Sequence, residues 1–450
     1  MKKYDLITVG AGPCGLLAAK AAGLCGLEVA LLERKSDMTR IERTCGQTLV
    51  SMNDYYFGDL AFYNRKRKRI GFSKNGFSFQ YDGPVKNLYA WHLFSPNGSL
   101  LPFGMPEETR KEGDYGIVGI SYDKEILLRC LLEEVKDAGV EVFSGINISE
   151  ISKTYEGVKV SGSGKTFEGF YVIAADGTNS RIAKLLGFNK ERVFYCYLFS
   201  QGWYMRGVKA PALDILISSI TYKTVAPGYM FIFPRPYGDE LNVVFLTLDP
   251  RVNLDEVAGY FMKENPFFSP WFKKAELLKH YTSAQYIFSP IGEPYRDRVL
   301  LAGDTGSTQE LENSGAMISG WKAGSAIATA LKEERVGLKS QGISNYIQWW
   351  KTTYTEGYRY EDYIMNFALP FVIDNEEALN YIFSLIKEPL PPCWNPYASI
   401  SHLGKLVQAL LPTLQKEKPD ILPKLAKMSK PMTEILESTT KVCKPLLDLD

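Results

Sequence analysis

The chain has 450 residues, 45% hydrophobic and 23% charged, with 52 basic against 51 acidic side chains and a net charge of +1. That is ordinary globular composition, long enough for two or three structural units, and it excludes a disordered or fibrous chain and gives nucleic acid no electrostatic reason to bind. The seven cysteines (Cys14, Cys25, Cys45, Cys130, Cys196, Cys393, Cys443) include no C-x-x-C pair, and His92, His280 and His402 lack ligand spacing, so no metal is expected and a reduced, cytoplasmic setting fits.

The apolar run Tyr4-Asp-Leu-Ile-Thr-Val9 predicts a buried strand that enters the chain too early to leave room for a signal peptide. It ends in "GAGPCG" and opens an Ala/Leu-rich helix, the context of a phosphate cradle. Gly10 permits the turn, Gly12 lets the backbone approach a pyrophosphate, Gly15 lets the helix pack on the strand, and Pro13 and Cys14 open the helix whose free N–H groups face the anion. Val29-Ala-Leu-Leu32 is a second strand, ending in Glu33 about 20 residues downstream, where a carboxylate meets ribose hydroxyls. An adenine dinucleotide is expected.

After the polar loop that carries Arg40, Arg43 and Cys45, the stretch from Phe57 to Gly119 is rich in aromatics and Gly turns and predicts sheet. "RKRKR" at Arg65–Arg69 reads as a solvated face or a phosphate receiver. Ile126, Leu127, Cys130, Leu131 and Val135 have helical spacing up to Gly139, and two hairpin strands near Ile148 and Val158 lead to the buried run "FYVIAAD". Strand-like aromatic pattern resumes from Val193 to about Ile287; the alternation of Phe194 and Cys196 with Tyr195, Tyr197 and Phe199 fits a half-buried strand or an apolar channel wall. "RVLLAGDTG" is another buried strand, Ser314–Leu331 a helix, and the rest helices broken by prolines. Six lysines against two acids between Ser401 and Lys430 suit either a helical cap or a membrane-surface helix. No apolar run approaches the roughly 18 residues of a membrane span.

Asp176-Gly177 and Gly303-Asp304, added to Gly10, Gly12, Gly15 and Glu33, resemble the FAD-binding signature of flavin hydroxylases, flavin halogenases and geranylgeranyl reductases. The resemblance implies an α/β Rossmann-type FAD-binding domain in pieces (1–56, 115–190, 288–335), an inserted antiparallel sheet domain for substrate (57–114, 191–287) and a C-terminal helical region (336–450). It further implies that Asp304 holds the ribityl hydroxyls, that Arg34 lies near the adenosine, and that the Ile148 main chain meets adenine.

Within that group the chain is most similar to the geranylgeranyl reductases. Cys45-Gly46 matches their Cys-Gly loop beside the flavin, "GYMFIFPRPYG" matches their Tyr-x-Trp-x-Phe-Pro strand at Tyr229, Phe233 and Pro234, with Phe231 in place of the Trp, and "SGAMISGWKAG" resembles the helix whose Ser314, Gly315 and Ala316 face the flavin. Two departures stand out: "TQELEN" replaces an Asn-Pro-x-x-Gly segment, and the Arg usual just before the helix at Tyr122 is absent. The implied activity is FAD-dependent saturation of double bonds in an apolar, isoprenoid substrate, with Tyr229, Phe231 and Phe233 on the substrate, Cys45 a candidate proton donor, and NADPH or a ferredoxin-like protein as electron donor. A flavin monooxygenase or halogenase, or a prenyl-binding protein without activity, are the alternatives. A peripheral membrane contact is compatible with such a substrate.

Overall fold

In the computed structural model, which describes residues 2–50, 54–307 and 313–440, the strand Lys3–Val9 (β1) is buried along nearly its whole length on both faces, as a central parallel strand must be. It runs parallel to Val29–Leu32 (β2) on one side and to Lys165–Ala174 (β14) on the other, and Glu141–Phe143 (β11) continues the order beyond β2. The hairpin Ile148–Lys153 (β12) and Val158–Gly162 (β13) lies against the first half of β14, whose second half pairs with Val299–Leu301 (β21), itself paired with Tyr295–Arg296 (β20).

Helices Pro13–Leu24 (α1), Lys124–Asp137 (α3) and Ser314–Arg335 (α7) pack together beside this sheet. Asp123 caps α3 by accepting from the N–H groups of Glu125 (2.8 Å) and Ile126 (3.2 Å), and Leu127, Leu128, Leu131 and Val135 turn inward at the predicted spacing. Helix α7 touches α1 backbone to backbone: a Cβ on Gly320 would overlap the Cys14 carbonyl, and one on Gly324 the Ala18 carbonyl.

The second large sheet has the order Glu276–Phe288 (β19), Phe194–Arg206 (β15), Leu241–Thr247 (β18), Gly228–Pro234 (β17), Leu216–Thr221 (β16), Trp91–Phe94 (β8), Leu100–Phe103 (β9), antiparallel except where β8 meets β16. The two-residue period of β17 splits its side chains between two cores. Met230 and Ile232 pack with Phe261, Phe268 and Trp271 under Leu254–Gly259 (α5) and Ser269–Phe272 (α6), whereas Tyr229, Phe231 and Phe233 join the main core.

The block expected as sheet between residues 57 and 114 divides. Ala61–Asn64 (β4), Arg69–Phe72 (β5) and Phe77–Gln80 (β6) form a separate sheet on the helices of the first unit: Phe77 stacks on Trp321 of α7 at 4.9 Å, and Lys20 of α1 donates to the Ser78 carbonyl at 2.9 Å. That packing covers an aromatic side chain and a buried ammonium that α1 and α7 otherwise turn to water. Thr48–Val50 (β3), Val85–Leu88 (β7) and Gly119–Tyr122 (β10) make a further small sheet, and Pro106–Thr109 (α2) is helical where sheet was expected. Lys66, Arg67 and Lys68 of the basic run are exposed at the β4–β5 turn.

A short helix, Arg181–Leu185 (α4), follows β14, and the C-terminal region runs through Gln341–Trp350 (α8), Tyr360–Ile364 (α9), Leu369–Val372 (α10), Glu376–Ser384 (α11), Pro396–Glu417 (α12), Leu422–Ala426 (α13) and Met432–Thr440 (α14). Trp350, fully buried, fixes this region to the first unit by donating from Nε1 to the Ile291 carbonyl at 2.8 Å. Among the described residues no helix is long and apolar enough to cross a membrane.

The two glycine environments differ in a measurable way. Gly324→Ala is expected to lower stability by about 1–3 kcal/mol through overpacking against α1. Gly404→Ala, at a site on α12 with nothing within 4 Å, should raise it by about 0.5–1 kcal/mol through helix propensity. Denaturant midpoints of the two variants against the parent are the check.

Candidate active site

A solvent-open cleft of about 610 Å³ lies where α1 begins, walled by Gly12, Pro13 and Cys14 of the first loop, by Arg43, Thr44 and Cys45, by Ala175 and Gly177 after β14, by Asp304, and by Asn313 and Ala316 at the start of α7. Gly10 takes φ +102° and a Cβ there would overlap the Ala175 carbonyl; a Cβ on Gly15 would overlap the carbonyl of Gly10. Gly12 is different. Its φ of −75° suits any residue, no side chain caps α1, and nothing stands within 4 Å of where a Cβ would be, so the space above it is free for a ligand that takes the first-turn N–H groups.

Glu33 is buried at the end of β2 and faces this loop, accepting from the Ala11 N–H at 2.7 Å and the Lys35 N–H at 2.9 Å. The Ile146 N–H donates to the Glu33 carbonyl at 2.8 Å, which brings the start of β12, with Ile148, alongside. Arg34 is exposed next to it. Asp304 lies across the cleft with Arg43 Nη2 at 3.4 Å from Oδ2. Gly303 reaches its φ of +62° beside Cys14, whose Sγ would stand 2.9 Å from a Cβ on Gly303. Burial pushes the Cys14 thiol up to about 12, so it stays a neutral packing group.

Asp176 behaves differently from its expected place at a cofactor. Its carboxylate accepts from Ser180 Oγ (2.6 Å), from the Arg181 N–H (2.8 Å) and Ile182 N–H (3.2 Å) of α4, and from Thr305 Oγ1 (3.3 Å), while its neighbours Ala175 and Gly177 line the cleft. Desolvation holds this carboxyl above its usual range, against those hydrogen bonds. Ser314 and Gly315 sit beside Ala316 at the α7 N-terminus, and the Gly315 carbonyl accepts from Tyr354 Oη at 3.2 Å.

Cys45 has company the sequence did not disclose. Lys124 Nζ lies 3.4 Å from its Sγ and donates to Asn313 Oδ1 at 2.9 Å; Asn313 Nδ2 lies 3.8 Å from the same sulfur. Burial pushes the Cys45 thiol up, but the Lys124 charge, the Gln47 N–H, Arg43 and Asn313 together bring it below the ordinary thiol value. Asn242 Nδ2 donates to the Cys45 carbonyl at 2.9 Å, and Gly46, half-buried, continues the loop. A lysine on an amphipathic helix reads as a solvated one, so the sequence carries no signal for Lys124 at this site. Residues 308–312, most of the "TQELEN" segment, and Cys443 lie outside the described residues.

Tyr229 and Phe231 line a second, apolar cleft of about 640 Å³, with Trp91, Leu93, Phe367, Phe383, Trp394 and Leu403. Phe233 pairs across the ladder with Asn242, which donates to the Cys45 carbonyl, and packs on Trp394 of the cleft wall at 6.1 Å. Tyr197 and Phe199 instead stack on each other at 5.7 Å, with Tyr197 against Tyr286 of β19, away from this cleft. Leu403 belongs to α12, which thereby caps it.

Residues 3–250 match the family described as FAD binding domain. A protein of Methanosphaera stadtmanae named digeranylgeranylglycerophospholipid reductase 2 is 26% identical over 444 residues, covering 95% of this chain and 100% of its own length. Among solved structures, a geranylgeranyl bacteriochlorophyll reductase-like protein of Thermoplasma acidophilum superposes with a TM-score of 0.67 at 16% identity, over 95% of this chain and 100% of that one. The myxobacterial chondrochloren halogenase superposes with a TM-score of 0.60 at 16% identity, over 98% and 97%. The cofactor is FAD, and the cleft fits it: an open cradle at Gly12 under an uncapped helix, with the Asp304 carboxylate in its wall and the Glu33 carboxylate on the glycine loop at Ala11.

Gly12→Val tests that fit without disturbing the fold. The flavin-free variant should unfold at the same denaturant concentration as the parent. It should bind FAD about tenfold or more weakly, the loss of one charge-assisted hydrogen bond of about 1.5–3 kcal/mol, read by flavin fluorescence titration.

Proposed function

The chain belongs to the FAD binding domain family, and from that premise we propose that it is an FAD-dependent reductase that saturates carbon–carbon double bonds of an isoprenoid lipid. The observation that carries the reading is an apolar cleft walled by Tyr229 and Phe231 of β17, the strand whose Phe233 pairs with Asn242, the residue that holds the Cys45 carbonyl. The relative named as a digeranylgeranylglycerophospholipid reductase, similar over 95% of the chain, supports that class of substrate. In this reading the large sheet from β8 and β9 to β15–β19, with the helices that cap it, holds the substrate; Gly10, Gly12, Glu33 and Asp304 hold FAD, and the backbone beside Asp176 completes its wall.

The cleft is suited to a hydrocarbon chain because its lining is mostly aromatic and aliphatic, with Ser219 Oγ and Trp394 Nε1 as the lining polar atoms that have no partner among the described residues. Tyr229 Oη donates to the Phe367 carbonyl at 3.0 Å, and Trp91 Nε1 to Ser218 Oγ at 3.0 Å, so both rings present carbon to the cavity. Phe233 packs edge-on against Trp394 beside the cleft, and both rings are buried. Reduced FAD supplies a hydride to an alkene carbon. The chain's task is to hold the alkene, exclude water and deliver a proton to the neighbouring carbon, and Cys45 is the group beside the cofactor cleft that can deliver it. A substrate of this kind arrives from a lipid surface, so a peripheral membrane contact belongs to the same proposal.

The test is to reduce the FAD-loaded protein with dithionite without oxygen, add a geranylgeranyl lipid and follow both the flavin spectrum and the lipid mass. Re-oxidation with a gain of two hydrogens per bond is expected. A flavin that stays reduced until oxygen is admitted, with oxygen or halogen then entering a product, assigns the protein to the oxygenase branch; no change in the lipid under any condition makes it a binding protein.

Phe231→Ala separates the two clefts. Removing a buried aromatic wall should weaken lipid binding by about 1.5–3 kcal/mol, roughly 10- to 150-fold in Kd, with FAD content unchanged. Lipid titration beside flavin absorbance reads both.

A further inference from the structure

The partners of Cys45 Sγ are donors: the Lys124 ammonium at 3.4 Å, the Asn313 amide nitrogen at 3.8 Å and the Gln47 N–H. Lys124 fixes this arrangement twice over. Its Nζ donates to Asn313 Oδ1 at 2.9 Å, which turns the amide so that its NH₂ faces the sulfur, and its backbone N–H donates to Gln47 Oε1 at 2.9 Å, which holds the loop that carries Cys45. An ammonium has no lone pair and can only donate to sulfur. Lys124 is only 8% exposed, and among the described residues no carboxylate comes within ion-pair distance of it. A buried ammonium is costly without a counter-charge, Asn313 is neutral, and the sulfur is the group in contact that can carry negative charge.

We propose that Cys45 rests as a thiolate paired with the Lys124 ammonium, and that Lys124 is the store of the proton that Cys45 passes to the substrate. The destination of the proton rests on the reductase reading; the ion pair does not. As one alkene carbon receives hydride, the π pair moves to its neighbour, which takes a proton from Cys45 Sγ. That proton comes from Lys124 Nζ, the sulfur keeps its electron pair and returns to thiolate, and the neutral amine regains a proton from solvent. The substrate thus gains H⁻ and H⁺, and the pair Cys45–Lys124 ends as it began.

The charged and titratable groups around the sulfur favour this state. Arg43, on the same loop, and Lys124 and Asn313, from α3 and α7, pull the thiol below its ordinary value against the upward push of burial. Lys35 adds positive charge near Lys124. Asp304, across the cleft, is engaged by Arg43 at 3.4 Å. Tyr204 of β15 accepts from Gln47 Nε2, and burial raises its phenol far enough to keep it neutral.

Site-resolved alkylation of the FAD-loaded protein with iodoacetamide, read by peptide mass spectrometry from pH 5 to 10, tests the pair, with the exposed Cys25 as internal reference. Cys45 is expected to reach half its maximal rate at a clearly lower pH than Cys25 and than an ordinary thiol, which does so near about 8.5. Lys124→Met should move Cys45 to about 8.5 or above, and Lys124→Arg should keep it low; Lys124→Gln, which retains the bond to Asn313, stands in if the Met variant does not fold. Where the cofactor shields the sulfur from alkylation, the thiolate absorbance near 240 nm, taken as the difference from Cys45→Ser, gives the same titration. A wild-type Cys45 that titrates with Cys25, or a profile unmoved in Lys124→Met, overturns the ion pair. An ordinary thiol profile in Lys124→Met with lipid turnover unchanged overturns the proton store. A wild-type protein that shows the low profile but reduces no lipid sinks the reductase reading and leaves the pair standing.

Discussion

The whole site depends on how near α7 can come to α1. With no side chain at Gly320 and Gly324, the two helices meet at the carbonyls of Cys14 and Ala18, closer than any pair bearing Cβ atoms on those faces could. That contact sets the start of α7 beside the start of α1, so the N-termini of two helices converge on one cleft. It also brings Ser319 within 2.9 Å of the Gly303 N–H, which fixes the turn that presents Asp304. Three segments far apart in sequence thereby become one cradle, and a single added methyl group in the helix crossing would disturb all of them.

A second constraint comes from strand β17. Its alternation gives Met230 and Ile232 to a core that belongs to the large sheet alone, and Tyr229, Phe231 and Phe233 to the core shared with the FAD site and the C-terminal helices. The apolar cleft can therefore form at the shared face without weakening the sheet, because the sheet is anchored on its other side. The helix α12 closes this face with few of its residues deeply buried; Leu403 reaches the cleft while most of α12 stays at the surface.

Legibility in the sequence followed the range of the forces. Glycine spacing, strand runs and the helix α3 are local, and they make the nucleotide fold and the end of β2 at Glu33 legible; Asp304, which lines the cleft, is legible only through the family resemblance. The packing of β4–β6 on α1 and α7 was not legible, because it is decided by Trp321 and Lys20, far away in the chain, needing cover. Asp176 was read as part of a cofactor motif, yet its carboxylate serves α4; the motif marks a turn as much as a contact. Lys124 escaped for a related reason: burial of one lysine is a tertiary outcome, and helical periodicity assigns charged residues to water by default.

Charge in the cleft makes these separate features one design. Two helix N-termini, Arg43 and Lys124 make the region around Gly12 and Cys45 positive, while the Asp304 carboxylate lines it and that of Glu33 is held on the glycine loop at Ala11. An uncapped α1 N-terminus suits a pyrophosphate, which would offset the helix dipole there, while Asp304 already draws Arg43. Lys124 is left as the cation whose balance falls to the cleft's own sulfur, and its distance from the acids is what lets a cysteine, rather than a carboxylate, become the ionised group beside the flavin site.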